Sequence, residues 1–384
     1  MRRAIAKTLM TLLPLLAACG DDGGDAGDDS STGTSSSDAD SSSGGTVTAS
    51  TGTQSSDAST SADGSSSGGS TGADGSSSGD ATTTTGGEAE LEVVVAFDPA
   101  AYELPEGLVI DGDEAVVGFA FTGALERVAL GDGARTAYAA TPPPPPNTSF
   151  VTGVTLDGDG QLYAAVVSFT ADLQAGIYRA AADGGDATLW ASDPAIVFPN
   201  GFAWGDDGTL FVTDSVYGGV FAIDGDGLVT PWLQDPALAG DASNCGGTSD
   251  IAVGANGLAR DGDSLIIAGG DKGVLVRVPI EADGSAGAVA TLAGPDCELA
   301  GLDGITLDQD GSVVAAINRS NRIVRIGGDG SVELLAEGAP LDFPASLEFA
   351  GEGDARALYV TSFGLGEFLA GGNPAPALVR VQLP

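Results

Sequence analysis

Residues 199–215 read PNGFAWGDDGTLFVTDS, and this stretch decides the fold prediction. Two runs of alternating apolar residues flank an Asp-Asp-Gly turn, which predicts an antiparallel β-hairpin. Its first seven residues have relatives elsewhere in the chain. These are PEGLVID at 105–111, VTGVTLD at 151–157, ANGLARD at 255–261, LDGITLD at 302–308 and, more weakly, FPASLEF at 343–349.

The six copies are regularly spaced. Taken at one repeat phase, they place Glu106, Thr152, Asn200, Asn256, Asp303 and Ala345 at intervals of 46, 48, 56, 47 and 42 residues. Each repeat holds about four short β-like runs, which predicts an all-β, six-bladed β-propeller. The sixth repeat supplies three strands, and we expect LEVVVAF at 91–97 to add the fourth and close the ring. A β-sandwich, or two separate β domains, is the alternative.

The N-terminus is typical of an export signal. Arg2, Arg3 and Lys7 precede an apolar run that is too short to span a bilayer. The tetrapeptide LAAC that ends at Cys19 is similar to a bacterial lipobox. It predicts a lipoprotein signal peptide over 1–18, lipidation of Cys19 and membrane attachment through that lipid. Because Gly20 rather than Asp follows, we expect the outer membrane or cell surface of a bacterial envelope. An ordinary signal peptide is the alternative.

Composition divides the rest of the chain. Residues 19–87 are almost entirely Ser, Thr, Gly, Asp and Ala, which predicts a disordered tether ahead of the propeller at 88–384. The formal net charge is −40, with no basic residue between Lys7 and Arg127, which argues against nucleic-acid binding. The absence of histidine excludes a Ser-His-Asp triad and zinc sites with His ligands.

Two cysteines lie in the folded part. Because the chain is predicted to be exported, Cys245 and Cys297 are expected to form a disulfide. Such a bond would contribute about 4 kcal/mol in the chain-entropy model. Two unpaired buried thiols are the alternative.

Four polar residues share one position in the repeat. A propeller would bring Glu106, Asn200, Asn256 and Asp303 to its axis, where two carboxylates and two amides are donors suited to Ca²⁺. Another divalent metal is the alternative. Each residue alone could equally be an ordinary turn residue, and a bound metal could be purely structural.

The chain from about residue 100 to 384 resembles the gluconolactonase/regucalcin (senescence marker protein) family of six-bladed propellers. The resemblance rests on PNGFAWGDDGTLFVTDS, GANGLA, LDGITLDQDG and ALYVTSF. It implies a divalent metal, usually Ca²⁺, held by Glu106, Asn200, Asn256 and Asp303. It also implies hydrolysis of a lactone or related ester, with Asp303 as the catalytic general base. Paraoxonase-type lactonases look similar in the same way.

Two family positions differ here. Gluconolactonases carry a sugar-binding Arg and Asp where this chain has Phe198 and Gly201, so a more apolar substrate or no turnover is expected. The main hypothesis is a Ca²⁺-dependent lactonase or esterase, acting as a monomer on a small molecule. A non-catalytic cell-surface binding scaffold is the second hypothesis. A strictosidine-synthase-like propeller is the third, although no matching catalytic Glu stands out in a later repeat.

Overall fold

The computed structural model describes residues 89–247 and 251–383. The predicted signal peptide 1–18, the lipidation site Cys19 and the tether 19–87 lie outside these residues. Within them, no helix has the length and apolar character needed to cross a membrane.

The described residues form a propeller of antiparallel sheets. Four sheets have four strands each, and a fifth sheet has eight. The fifth contains β2–β5 of the first repeat and β6–β9 of the second: β2 Pro105–Asp111, β3 Glu114–Phe119, β4 Ala124–Ala129, β5 Arg135–Ala140, β6 Ser149–Leu156, β7 Leu162–Ser168, β8 Gly176–Ala181 and β9 Gly184–Ala191. The third and fourth repeats give β10 Pro199–Trp204, β11 Leu210–Asp214, β12 Gly219–Ile223, β13 Val229–Gln234, β14 Ala255–Asp261, β15 Ser264–Gly269, β16 Val274–Pro279 and β17 Ala290–Ala293. The last two give β18 Leu302–Leu307, β19 Val313–Ile317, β20 Arg322–Ile326, β21 Val332–Glu337, β22 Pro344–Ala350, β23 Ala357–Ser362 and β24 Ala377–Gln382.

Helical segments are short and lie in the connections. One α-helix, α1, spans Leu365–Ala370 between β23 and β24. Single 3₁₀ turns occupy Pro99–Ala101, Pro236–Leu238, Asn244–Gly246, Cys297–Leu299, Asn318–Ser320 and Gly353–Ala355.

The terminal strand exchange that the sequence predicts is confirmed. Strand β1, Glu90–Ala96, pairs antiparallel with β24, which gives the sixth repeat its fourth strand. The strand nearest the N-terminus in the described part therefore covers the outer edge of the sheet nearest the C-terminus, where unpaired N–H and C=O groups would otherwise face solvent.

The first two repeats differ from the expectation of separate sheets. Strands β5 and β9 run parallel and pair at Ala139↔Gly185 and Ala140↔Asp186. Gly184 makes this approach possible, because a Cβ there would lie 2.1 Å from the Tyr138 carbonyl oxygen. The pairing joins two antiparallel four-stranded meanders, through their outer strands, into one sheet.

Each repeat is buried on both faces, which explains its nearly continuous apolar strands. In β15, Ile266 and Ala268 pack against residues of the fifth repeat, whereas Leu265 and Ile267 pack on the opposite side, towards the third. Burial of the alternating side chains against both neighbouring repeats provides the main favourable free energy of this fold.

The innermost strands close a ring. In chain order, β2, β6, β10, β14, β18 and β22 each contact the next, and β22 contacts β2. A glycine near the start of five of these strands allows the contact. A Cβ on Gly153 would lie 2.2 Å from the Asn200 carbonyl oxygen, and one on Gly257 would lie 2.1 Å from that of Asp303. The repeated Gly thus sets the distance between neighbouring repeats at the channel wall.

Candidate functional site

The four predicted site residues occupy equivalent places at the start of the innermost strands. Each is the second residue of its strand, in β2, β10, β14 and β18. The exposed fractions of Glu106, Asn200, Asn256 and Asp303 are 5%, 8%, 3% and 7%. Thr152 and Ala345 take the same position in the sequence repeat, as the fourth residue of β6 and the second of β22, and are also buried. We call these six positions the ring.

Threonine hydroxyls hold the backbone of the ring. Thr361 Oγ1 donates a hydrogen bond to the Glu106 carbonyl at 2.9 Å, and Thr213 Oγ1 donates to the Asn256 carbonyl. Each threonine lies on the second strand of the repeat that precedes its acceptor, so the bonds cross the boundary between repeats. They fix Glu106 and Asn256 relative to their neighbours.

The Asp303 carboxylate lies in a polar surrounding. Asn318 Nδ2 donates a hydrogen bond to Asp303 Oδ2 at 2.9 Å, and the Asn256 side chain also donates to this carboxylate. Burial nevertheless raises the pKa of Asp303 from 3.8 to about 7, because loss of hydration penalises the charged form more than the two amides favour it.

Glu106 interacts with Asp303 although 197 residues separate them. Burial raises the pKa of Glu106 well above 4.5, and repulsion from the Asp303 carboxylate raises it further. Of the Glu106 oxygens, Oε2 is buried and has no hydrogen-bond partner, and the same is true of Asn256 Oδ1. The structure thus brings Glu106, Asn256 and Asp303 into one buried group with two unsatisfied oxygens.

Asn200 is a separate case, because within the described residues no hydrogen bond joins its side chain to Glu106, Asn256 or Asp303. It lines a cavity of about 330 Å³ that continues past the ring between the innermost strands. Glu348 lies on the same cavity wall and accepts a hydrogen bond from the Ile110 backbone N–H at 2.8 Å. Burial raises the pKa of Glu348 from 4.5 to about 7. Sequence reasoning missed this carboxylate, because it lies within the weakest copy of the repeat.

The donor set fits a hard divalent cation. Carboxylate and amide oxygens are what Ca²⁺ prefers, and the unpaired Glu106 and Asn256 oxygens lack another partner. Among the described residues, no group of three or more His, Cys, Asp or Glu side chains is placed to hold a metal. The ring contains two carboxylates, Glu106 and Asp303, and its other two oxygen donors are asparagines.

A second polar group lies beside the ring in the fourth and fifth repeats. Asp271, which is fully buried, accepts hydrogen bonds from the backbone N–H groups of Val253 and Asp241 and forms an ion pair with Arg319. Sequence reasoning missed Asp271, because GGDKG at 269–273 reads as an ordinary turn. Asn318 was missed for a related reason, since it reaches Asp303 from a loop.

The structure joins Cys245 to Cys297, the pair that the sequence predicts. Cys245 lies in the connection that leads into β14, and Cys297 in the one that leads into β18. The two connections that position Asn256 and Asp303 are therefore linked covalently.

Several other polar or proline-rich parts of the sequence join neighbouring repeats, form ion pairs or lie in turns and connections. Ser215 Oγ donates to the Ala255 carbonyl at 2.9 Å, so this serine connects neighbouring repeats. Arg322 pairs with Glu298 and Glu337. Asp206 and Asp207 lie in the β10–β11 turn, and the prolines at 142–146 lie in the connection between the first two repeats.

Comparison with known proteins supports the fold most directly. The model of the SMP-30/gluconolactonase/LRE-like region matches residues 238–364, about a third of the chain. The match includes Asn256 and Asp303 but neither Glu106 nor Asn200. No curated protein sequence matches the chain.

Solved structures share the propeller at low identity. A luciferin-regenerating enzyme is 19% identical, with a TM-score of 0.57 over 77% of this chain and 95% of that one. A calcium-binding protein, regucalcin, from Agrobacterium tumefaciens is 19% identical, with a TM-score of 0.54 over 78% and 96%. A streptogramin B lyase is 14% identical, with a TM-score of 0.52 over 77% and 98%. Proteins with such different names have this fold, so the site has to carry the functional argument.

Proposed function

We propose that this chain is a Ca²⁺-dependent hydrolase of the gluconolactonase type, which acts on a lactone or related ester at the channel mouth. One observation carries the proposal: Glu106 Oε2 and Asn256 Oδ1 are buried without partners in a group that also contains Asp303. An unpaired buried polar atom costs about 1–3 kcal/mol. A divalent cation would satisfy both oxygens and remove the repulsion between the two carboxylates.

Glu106, Asn200, Asn256 and Asp303 would hold this ion. They supply four oxygen donors, and Ca²⁺ accepts six to eight, so water or substrate would complete the shell. The likeness in fold to a calcium-binding regucalcin supports the assignment. When bound, the ion would polarise the ester carbonyl and make a nearby water more acidic.

The protein's own groups would orient the reactants and move the proton. Asp303 is our candidate general base, because it lies in the buried group beside the expected ion; it would act while not bound to the ion, since a bound cation lowers the pKa of a carboxylate. Asn318 holds Asp303 Oδ2 by its amide N–H, which fixes the plane of the carboxylate. Burial of the ring limits access of bulk water to these groups.

We further propose that the fold has six blades. The eight-stranded sheet would then be two blades, since its halves are antiparallel meanders joined only by the short β5–β9 pairing within the described residues. Six innermost strands around one channel support this count.

Calorimetric titration of the purified chain with CaCl₂ tests the metal assignment. We expect Glu106→Gln to weaken Ca²⁺ binding at least about 100-fold, because it removes a charged ligand. Glu348→Gln is the matched control, since it also removes a channel carboxylate of raised pKa but lies outside the ring. Equal affinities for wild type and Glu106→Gln would end the proposal.

Hydrolysis of a lactone and aryl-ester panel, with and without chelator, tests the reaction. We expect turnover that a chelator abolishes and excess CaCl₂ restores. Ca²⁺ binding without any turnover would instead favour the second candidate, a non-catalytic scaffold with a structural ion. The substitution of Phe198 and Gly201 for a sugar-binding Arg and Asp favours that candidate.

The cellular location is a separate proposal. We propose that Cys19 is lipidated and that a monomeric propeller is attached to the outer membrane or cell surface by the tether 19–87. Labelling with an alkyne fatty acid should mark the wild-type chain and not Cys19→Ala, which should appear in the soluble fraction. Equal labelling of both would contradict the anchor.

A further inference from the structure

The positions two residues before the ring differ sharply around the channel. In chain order they are Leu104, Phe150, Phe198, Gly254, Gly301 and Phe343. The four bulky apolar residues belong to the sixth, first, second and third repeats, which are neighbours in the ring. The two glycines belong to the fourth and fifth. One side of the mouth is therefore apolar and the other is not.

The ends of the second strands repeat this division. In five repeats a backbone hydrogen bond joins the residue two before the ring to a residue just after the second strand, as in Phe363 N–H to Phe343 O at 3.1 Å and Asn318 N–H to Gly301 O at 2.9 Å. On the apolar side, the residues just after the second strands include Phe121, Phe169 and Phe363. On the other side they include Asp271, Asn318 and Arg319.

We name the two sides by these residues. The aromatic arc consists of Phe121, Phe150, Phe169, Phe198, Phe343 and Phe363. The polar arc consists of Asp271, Asn318 and Arg319, together with the Cys245–Cys297 disulfide.

The aromatic arc consists of two groups of contacting rings, whose members Phe121, Phe150 and Phe343 pack on one apolar cluster and still show apolar surface. The Phe150 and Phe198 rings meet edge to face with centroids 5.2 Å apart, and Phe121 lies 6.4 Å from Phe363. Phe121 also stacks on Phe368 of α1 at 6.0 Å. Phe121, Phe150 and Phe343 are only half-buried, so parts of their rings remain accessible. Accessible aromatic surface beside a buried polar group is typical of a small-molecule site.

This wall disfavours a substrate covered in hydroxyl groups. A hydroxyl that leaves water to lie against Phe150 or Phe121 loses its hydrogen bonds without replacement. An alkyl or aryl group in the same place gains free energy in proportion to the apolar area that it buries.

We propose that the site takes lactones or esters with an apolar chain or ring, which packs on the aromatic arc while the ester group faces Glu106, Asn256 and Asp303. This substrate class rests on the proposed hydrolase function. The polar arc, on the other side, supports the ring residues of the fourth and fifth repeats.

A series of γ-lactones with alkyl side chains of one to eight carbons tests the proposal, with an aldonolactone as the polar comparison. We expect kcat/KM of the wild-type enzyme in CaCl₂ to rise about threefold per methylene until the chain outgrows the arc. The aldonolactone should be at least about 100-fold poorer than the best alkyl lactone.

Phe121→Ala should flatten this dependence on chain length. The matched control is Phe349→Ala, which truncates a half-buried Phe at the far end of β22, where its ring packs under Arg356. If Phe121→Ala does not fold, Phe121→Leu takes its place and should reduce the slope partly. Equal slopes for wild type and the Phe121 variant, or equal loss in the Phe349 control, would overturn the proposal.

Binding of an unreactive octyl lactam, followed by calorimetry, separates this inference from the function. Turnover that prefers the aldonolactone would overturn the apolar substrate class and leave the hydrolase intact. Lactam binding that depends on Phe121, with no lactone hydrolysed, would support the apolar site and reject the hydrolase. Absence of both turnover and binding would reject both.

Discussion

The polar arc and the aromatic arc are held together by different forces. In the polar arc, a disulfide, a buried ion pair and directed hydrogen bonds fix Asp271, Asn318 and Arg319. The aromatic arc is held by ring contacts, which are less directional. The difference suits the proposed chemistry, since directed contacts keep the ring residues of the fourth and fifth repeats in place, whereas an apolar wall can accept chains of various lengths.

Removal of the disulfide should have the largest effect on the polar arc. The Cys245–Cys297 bond encloses the whole fourth repeat, with a sequence separation of 52. In the double variant Cys245→Ser/Cys297→Ser, loss of this cross-link should lower the free energy of unfolding by about 4 kcal/mol. Urea denaturation would measure this. An unchanged midpoint would show that other contacts alone hold the arc.

Asp271→Ala should have the next largest effect. It leaves the backbone N–H groups of Val253 and Asp241 without their acceptor and Arg319 without its partner, at a total cost of about 3 kcal/mol. The control is Asp261→Ala, whose ion pair with Arg277 is more exposed and should contribute less than about 1 kcal/mol. Similar losses of unfolding free energy for both variants would mean that the Asp271 contacts stabilise the protein no more than an ordinary surface ion pair does.

The sequence predicts the ring better than it predicts either arc. Glu106, Asn200, Asn256 and Asp303 could be found because each precedes a Gly at the same phase of a repeated strand. That Gly is required by the close approach of the next repeat, so the spacing and the site share one physical cause.

The arcs lack such a periodic signal. Asp271 and Asn318 act from loops, where Asp and Asn are common for reasons of turn geometry. The rings of the aromatic arc are scattered from Phe121 to Phe363, among many apolar residues that only fill the core. The joining of β5 to β9 could not be predicted either, since it depends on how two outer strands happen to approach.

Glu348 extends the comparison down the channel. It lies on β22, whose N-terminal end belongs to the aromatic side. Its carboxylate accepts one backbone hydrogen bond, whereas Asp271 accepts two and also pairs with Arg319. Its pKa is raised from 4.5 to about 7, so the folded state keeps a proton that the unfolded state loses. The contribution of Glu348 to the free energy of unfolding should therefore fall as the pH rises from 4.5 to about 7. It should change no further above that pH.

Glu348→Gln removes this pH-dependent cost. The variant should match wild type near pH 4.5 and be about 2 kcal/mol more stable at pH 8, below the full value of about 3 because the side chain keeps some contact with water. Urea denaturation at both pH values would measure this, with the exposed Glu352→Gln as control. An equal difference at both pH values would mean that packing, not charge, is responsible.

Phe121→Ala should have the smallest effect on stability, about 1 kcal/mol, because the ring is already partly accessible and its removal leaves an open surface rather than a closed cavity. Its effect on binding of an octyl lactam should be much larger than its effect on the urea midpoint, because a bound alkyl chain would cover the ring surface that is now accessible. If Phe121 contributed only to folding, its removal would change the urea midpoint more than it changes lactam binding. Measured together on Phe121→Ala, the loss of lactam binding and the change in the urea midpoint decide whether the aromatic arc serves the ligand or the fold. The polar arc is the opposite case, because Asp271→Ala should first of all lower stability.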